Sequence, residues 1–437
     1  MMPDSPNSLS AWLKHCESSH PKEIDLTLDR VRDVKERLRI AFHAPVIVVA
    51  GTNGKGSTCA MLESIALKAG LRVGLYSKPH LRRFEERCRV NGAMVDGESL
   101  VPCFEAVERA REGTSLTYFE FTTLAIAKYL SQAPLDLVIL EVGLGGRLDA
   151  VNAIDADCTI ITSIDIDHTE YLGPTRESIG REKAGVMRPG RVAVVSDPRP
   201  PESVVDHAQH IGAHLRLPGR HFSWIADGPR WSWQGKDSTF SGLPCPRLKG
   251  RGQLQNAAGV LAALEALKEI LPITEDAVAA GLADVTLPGR FQVLPGAPAI
   301  VLDVAHNPQS VKELAHNLRE MGSFTSTQAV FGCMHDKDIR ALLESISPLI
   351  DHWHFTDLPV ARAATSRQLA SMLMEALPQE SKPSVFSCWE NPRQAVEAAV
   401  QAARPDSRIV VFGSFHTVGG ALDSESITRR SGSTHDR

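Results

Sequence analysis

Pro45-Val-Ile-Val-Val-Ala50, running straight into Gly51-Thr-Asn-Gly-Lys-Gly-Ser-Thr58, is the stretch from which the fold can be read. The first six residues carry no charge and are mostly β-branched, which predicts a strand buried on both faces. From Thr58 to Ala69 the apolar side chains of Met61, Leu62, Ile65 and Ala66 recur at helical spacing, and Gly70 supplies the stop. Between strand and helix lies a glycine-rich turn with one lysine. Such a turn lets backbone N–H groups face an anion, and the helix adds the positive end of its dipole. The spacing departs from the common G-x-x-x-x-G-K-[ST] form, because Gly56 separates Lys55 from Ser57. A glycine-rich turn can also be purely structural; the lysine, the hydroxyls and the flanking elements favour phosphate.

Outward from this unit the pattern repeats. Arg72–Tyr76, Leu135–Val142, Cys158–Ser163 and Arg191–Ser196 read as further apolar strands, with helical patterns over about 98–111 and 118–132. Strands alternating with helices, and apolar throughout, predict a parallel sheet covered on both faces. Trp224, Gly228, Pro229, Trp231 and Trp233 suggest a hairpin, inserted or at an edge. Helical stretches at about 252–271 and 274–284 lead to Leu287-Pro-Gly-Arg290, which reads as a turn between domains. A second series of strands follows at 299–304, 329–332, 352–355, 384–386 and 408–412. Its first turn, Ala305-His-Asn-Pro308, lacks G-x-G-x-x-G and so disfavours dinucleotide binding. The expected fold class is α/β: a P-loop-containing parallel-sheet domain over 1–286 and a smaller, Rossmann-like α/β domain over 287–423. The polar stretch 424–437 has no periodicity and is expected to be a disordered tail.

Composition narrows the function classes. The 437 residues are 43% hydrophobic and 23% charged, a globular profile too long for one core. A net charge of −5, with no basic run, gives no general attraction to nucleic acid. The eight cysteines are scattered without paired spacing, which suits buried thiols in a reducing compartment. The N-terminus lacks the pattern of a secretory leader, and no apolar run approaches the ~18 residues of a spanning helix. A cytoplasmic protein with no membrane partner is expected.

A hydroxyl alone holds Mg²⁺ weakly, so an ATP site needs further oxygen ligands from neighbouring strand ends. Glu141 closes an apolar strand just before Gly143-Leu-Gly-Gly146 and is the metal candidate; the alternative is a carboxylate facing solvent. Asp165, Asp167 and His168 follow the next strand, where His168 reads equally as a loop hydrogen-bonder.

Ten segments in chain order resemble the folylpolyglutamate synthase/dihydrofolate synthase family, within the Mur-ligase-like ATP-dependent amide-forming enzymes. They are GTNGKGST at 51, SKPHLRRFEERCRVNG at 77, TYFEF at 117, LEVGLGGRLDAVN at 140, TSIDIDHTEYLG at 162, ESIGREKAGVMRPG at 177, LPGRFQV at 287, LDVAHNP at 302, HDKD at 335 and FGSFHTVGG at 412. The resemblance implies a Mur ligase central-like first domain in which Gly54, Lys55, Gly56 and Ser57 hold the ATP phosphates. It implies that Glu141 and His168 bind Mg²⁺, with Ser57 contributing its hydroxyl. Lys183 matches a lysine that carries a CO₂-derived carbamate, whose oxygens would serve a second Mg²⁺; the bland reading is a surface lysine. Asn256 and Arg290 resemble nucleotide contacts, Asp303 an acid near the ribose, and His306 and Ser414 positions for the incoming glutamate. Lys55, Lys183 and His306 are thus the catalytic candidates.

Tyr118-Phe119-Glu120-Phe121 and Gly146-Arg147-Leu148-Asp149 resemble pterin-contacting segments. Phe119 and Phe121 would stack on a flat heterocycle, or else belong to a helix core, and Asp149 would accept its N–H groups. One departure stands out: Lys78 replaces a serine that the family usually places near the metal. Lysine cannot replace a neutral hydroxyl ligand, so Lys78 is left out of the metal shell and Ser77 is the candidate there.

The implied activity is ATP-dependent addition of L-glutamate to 7,8-dihydropteroate, and to the γ-carboxyl of reduced folates, through an acyl phosphate. A monomer acting on small molecules is expected, its cleft holding three substrates. The alternatives are a synthase with one of the two activities and a P-loop ATPase that ligates nothing. A Mur ligase proper would need a nucleotide-binding domain before the loop, where only 50 residues precede Gly51.

Overall fold

In a computed structural model of the chain, which describes residues 6–376 and 385–432, the run at Val46–Ala50 forms strand β1, buried at every position. Contacts divide the chain into two units. The first comprises 1–247 and 252–285, the second 248–251 and 286–437. The first unit is built on β1, β2 (Val73–Tyr76), β3 (Cys88–Val90), β4 (Ala93–Met94), β5 (Leu137–Glu141), β6 (Cys158–Ile161), β7 (Val192–Val195) and β8 (His214–Arg216). Their order across the sheet is β4-β3-β2-β5-β1-β6-β7-β8. The six strands from β2 to β8 pair in parallel, whereas β3 and β4 turn back antiparallel at one edge. The sheet is therefore mixed rather than wholly parallel. A short return through Asn91-Gly92, both at positive φ, needs no crossover helix and was not marked by apolar strands.

β1 lies at the centre, between β5 and β6. That order puts the strand ends carrying Ala50, Glu141 and Ile161 side by side. One face of the sheet carries a core in which Trp12, Phe104 and Phe121 are fully buried, with ring centroids of Phe104 and Phe121 5.8 Å apart. The helix Lys55–Lys68 packs against the helices Gly252–Ala266 and Glu275–Asp284, where Ser64 Oγ donates to the Gly281 carbonyl at 2.8 Å. The tryptophan-rich stretch is a separate three-stranded antiparallel sheet of β9 (Ser223–Asp227), β10 (Arg230–Gln234) and β11 (Thr239–Pro244), larger than the hairpin expected.

The second unit holds β12 (Gln292–Leu294), β13 (Ala299–Leu302), β14 (Thr327–Phe331), β15 (His352–Thr356), β16 (Val385–Trp389) and β17 (Arg408–Phe412), ordered β12-β13-β17-β14-β15-β16. Only β12 is antiparallel. The tail expected to be disordered over 424–437 instead forms a helix, Glu425–Gly432. Ile427 is completely buried there, so one apolar residue in a polar stretch is enough to seat a helix. Residues 433–437 lie outside the described residues.

Among the described residues no helix is long and apolar enough to cross a membrane. Cys16, Cys59, Cys88, Cys103, Cys158 and Cys333 are buried thiols, as expected; Cys388 is exposed.

On β15, Trp353 and Phe355 face the core while His354 enters a buried polar chain. Its Nε2 lies 2.8 Å from Gln328 Oε1, its Nδ1 3.1 Å from Ser387 Oγ, and Trp389 Nε1 donates to that Oγ at 2.8 Å. Burial, with His352 stacked alongside at 4.2 Å, lowers His354 from 6.5 to about 3. The folded state thus keeps the ring neutral, whereas the unfolded chain takes up a proton below pH 6.5. Stability is lost as pH falls through that window, by about 2 kcal/mol at pH 5 relative to pH 8. Urea unfolding of wild type and His354→Gln at both pH values is expected to show a pH dependence shallower by that amount in the variant.

Candidate active site

The turn after β1 has a shape that only glycine accepts. Gly51 has φ +144°, and a Cβ there would lie 1.7 Å from Thr162 Oγ1 on the neighbouring segment. Gly54 has φ +92° at the start of the helix, and a Cβ would lie 2.6 Å from Asn256 Oδ1. Gly51→Ala is therefore expected to lower the unfolding free energy by about 1–3 kcal/mol and to displace the loop; urea titration and ADP binding measure the two effects.

Two ammonium groups converge on this turn. Lys55 Nζ donates to the Gly51 and Thr52 carbonyls, each at 3.0 Å, and Lys183 Nζ donates to the same Gly51 carbonyl at 2.7 Å. Lys183 is no surface lysine: it is 4% exposed, on the helix Arg176–Ala184. Burial first, then the neighbouring Lys55 charge, lowers it to about 7, while Asp167 and Asp149 pull the other way. Ser57, also buried, stands in the first helical turn, where Gln253 Nε2 donates to its hydroxyl at 3.4 Å. Asn256 in turn donates to Gln253 Oε1 at 3.2 Å. Gln253 was missed in the sequence, although its place three residues before Asn256 puts both on one helical face.

Glu141 ends β5, paired in register with Val49 of β1, and is buried. Its Oε2 accepts the Lys78 backbone N–H at 3.0 Å. His168 adopts a left-handed conformation (φ +51°), uncommon for a non-glycine residue, with its side chain a third exposed. Its Nε2 lies 3.9 Å from Asp167 Oδ2. Ser77 is half-buried beside Lys78. Among the described residues no three His, Cys, Asp or Glu side chains gather into a metal site. The oxygen donors at the strand end and in the first helical turn are Glu141 and Ser57. That set suits a divalent ion held mainly by phosphate oxygens, as Mg²⁺ usually is in nucleotide sites. With Lys183 as an ammonium, a second ion does not fit.

Lys78 is kept away from any metal by its own geometry. Its Nζ sits 4.0 Å above the Phe119 ring and 4.3 Å from the Tyr76 ring, and 3.9 Å from Asp149 Oδ1. Burial lowers it to about 8, against the opposing pull of Asp149 and Glu141.

The substrate candidates stand in different settings. Phe121 is fully buried, packed among Trp12, Phe104 and His15, and presents no face to a heterocycle. Glu120 closes a capping box with Thr117 and pairs with Arg30 at 2.9 Å, a structural task. Arg147 is half exposed and paired with Glu182 at 2.9 Å. Phe119 has one face covered by Lys78, which confines stacking to the other. Asp149 staples its own loop, accepting from Gly143, Leu144 and Val151 N–H at 2.9, 2.9 and 3.0 Å.

In the second unit, Arg290 lies over the Phe415 ring at 5.0 Å, and the His306 ring is 6.1 Å from the same ring. His306 Nδ1 lies 2.8 Å from the Val304 carbonyl, which fixes Nδ1 as donor and leaves Nε2 the proton acceptor of the neutral ring. Asp303 accepts from Phe291 and Ala305 N–H at 2.9 and 2.7 Å; desolvation raises it to about 6 against Arg290 and those bonds. Ser414 caps the helix Phe415–Ala421 through Thr417 N–H, so its hydroxyl already has a structural role. Phe415, which joins Arg290 and His306, carried no signal in the sequence.

Both halves of the chain match known domain families. Residues 49–200 match the Mur ligase middle domain and residues 289–415 the Mur ligase glutamate ligase domain. The dihydrofolate synthase/folylpolyglutamate synthase of Escherichia coli (strain K12) is 42% identical over 96% of each chain. E. coli FolC in complex with DHPP and ADP has a TM-score of 0.91 at 41% identity, covering 98% of this chain and 100% of its own. A bifunctional folylpolyglutamate synthase/dihydrofolate synthase with Mn, AMPPNP and L-glutamate bound gives 0.87 at 42% identity, covering 97% and 99%. This chain belongs to the dihydrofolate synthase/folylpolyglutamate synthase family, the Mur-type ATP-dependent glutamate ligases.

Proposed function

We propose that this chain joins L-glutamate to the carboxylate of 7,8-dihydropteroate and to the γ-carboxyl of reduced folates, converting ATP to ADP and phosphate. The observation that carries the reading is the pair of lysine amino groups on the Gly51 carbonyl, at the start of the helix Lys55–Lys68, whose dipole favours an anion. A carboxylate is unreactive toward an amine until one oxygen becomes a leaving group. Lys55 swings from the loop carbonyls to the γ-phosphoryl group and holds it while the substrate carboxylate attacks, giving an acyl phosphate and ADP. The glutamate amine, as its free base, then displaces phosphate; His306 Nε2 takes the proton. When bound, a divalent ion neutralises the phosphate oxygens during transfer.

Lys183 has a further part to play. As a neutral amine it adds to CO₂ and loses a proton, leaving a carbamate where an ammonium stood. This removes its repulsion with Lys55 and creates the oxygen donors a second Mg²⁺ needs. The relative that holds Mn, AMPPNP and L-glutamate supports the ion and the amino acid as ligands.

Glutamate-dependent ADP release, assayed first with dihydropteroate and then with tetrahydrofolate, tests the reading. Stimulation by both is expected. Stimulation by one alone reduces the protein to a single activity, and by neither leaves an ATPase. Transfer of ¹⁸O from substrate carboxylate into phosphate is expected for the acyl phosphate.

A further inference from the structure

We propose that Lys78 seats the substrate carboxylate that becomes phosphorylated, its ammonium forming a charged hydrogen bond to that group. The proposal rests on the ligase reading above and names the residue that recognises the acid.

The Lys78 side chain is 5% exposed, and its Nζ has no hydrogen-bond partner among the described residues. An ammonium has three donors to satisfy, and a buried one left unpaired is destabilising. The neighbours do not relieve it. Asp149 is the nearest carboxylate, but at 3.9 Å it is beyond hydrogen-bond distance, and its oxygens are held by three backbone N–H groups. The Tyr76 hydroxyl is occupied by Thr123 Oγ1 at 2.9 Å. Phe119 and Tyr76 offer only ring faces, which attract a cation without accepting a directed bond. Stability alone gives no reason to keep a lysine here.

Position gives one. The backbone of Lys78 is tied to Glu141 at the strand end beside the phosphate loop, while its side chain reaches Phe119 and Asp149. It bridges the phosphate end of the site and the aromatic end. An aromatic acid that stacks on Phe119 and presents its carboxylate to the phosphate loop brings that carboxylate past the Lys78 ammonium. The unsatisfied donors then find an anionic acceptor in a water-poor setting, where such a bond is strong.

Lys78→Met keeps the stem and removes the charge. The thermal midpoint is expected to change little, because the ammonium makes no hydrogen bond there and its ion pair with Asp149 is long, at 3.9 Å. Equilibrium binding is measured for dihydropteroate, for its carboxamide analogue and for ADP. Dihydropteroate is expected to bind about tenfold or more weaker in the variant, the carboxamide and ADP within about twofold of wild type, and Lys78→Arg to recover part of the loss. Equal weakening of acid and amide would mean that Lys78 only shapes the pocket, and weaker ADP binding that it serves the nucleotide; either overturns the proposal. A wild type that prefers acid to amide, with the preference intact in Lys78→Met, overturns it while sparing the ligase reading. A wild type that binds neither compound overturns both. Should the methionine variant fail to fold, the same acid-to-amide ratio in Lys78→Gln decides.

Discussion

Lys55→Met is expected to lower kcat for ligation by about two to three orders of magnitude, with a much smaller loss of ADP affinity. The asymmetry follows from what remains. The glycine N–H groups and the helix terminus still attract the β-phosphate, so ground-state binding survives. What goes is a mobile positive charge that can follow the γ-phosphoryl group as it leaves ADP, and removing one such donor typically costs 10²–10³ in rate. The loop is expected to loosen but persist, because the lysine's bonds to the Gly51 and Thr52 carbonyls are lost while the path set by Gly51 and Gly54 remains. Pre-steady-state phosphoryl transfer and ADP titration separate the effects. A kcat within tenfold of wild type would place Lys55 away from the transferring group.

Lys183→Ala should be nearly as severe, about a hundredfold or more, for a different reason. With a value near 7, Lys183 is mostly ammonium at pH 6 and mostly free amine at pH 8, and only the amine adds CO₂. Carbamate occupancy should therefore rise with pH across this window, and activity should rise with added bicarbonate. ¹³C-bicarbonate is expected to give a carbamate carbon resonance in wild type that is missing from Lys183→Ala. A wild-type rate indifferent to CO₂ depletion, or a fully active alanine variant, would exclude the modification.

The parallel cores were legible because their strands are mostly apolar and are buried at every position, as at Val46–Ala50, Leu137–Glu141 and Arg408–Phe412. The β3–β4 edge was not, since Cys88–Val90 and Ala93–Met94 are short and their pairing depends on a turn. At the site, residues whose task is fixed by backbone geometry, Gly51, Gly54 and Glu141, could be placed from sequence. Those judged by side-chain chemistry were harder. Phe119 and Phe121 stand two apart on one helix: one borders Lys78 and the other is sealed in the core. A motif carries both but cannot say which way each points. Glu120 and Ser414, candidates for ligand contacts, also cap backbone N–H groups, a task no motif displays. For Lys183 the charged neighbours Arg181 and Glu182 left a surface lysine as the bland alternative, and its burial removes that alternative.

The central place of β1 governs when this enzyme acquires its chemistry during synthesis. Both neighbours of β1 come from far along the chain: Val46 pairs with Val138, and Ile47 with Cys158. Bringing such distant segments together is slow, since the entropy of closing the loop is lost before the pairing is gained. A nascent chain that has not yet extended past Ile161 has the glycine turn but not the strand ends that frame it. Nucleotide can then stabilise only chains whose central sheet is already laid down, so a ligand added to refolding protein should select late, near-native species rather than nucleate early ones.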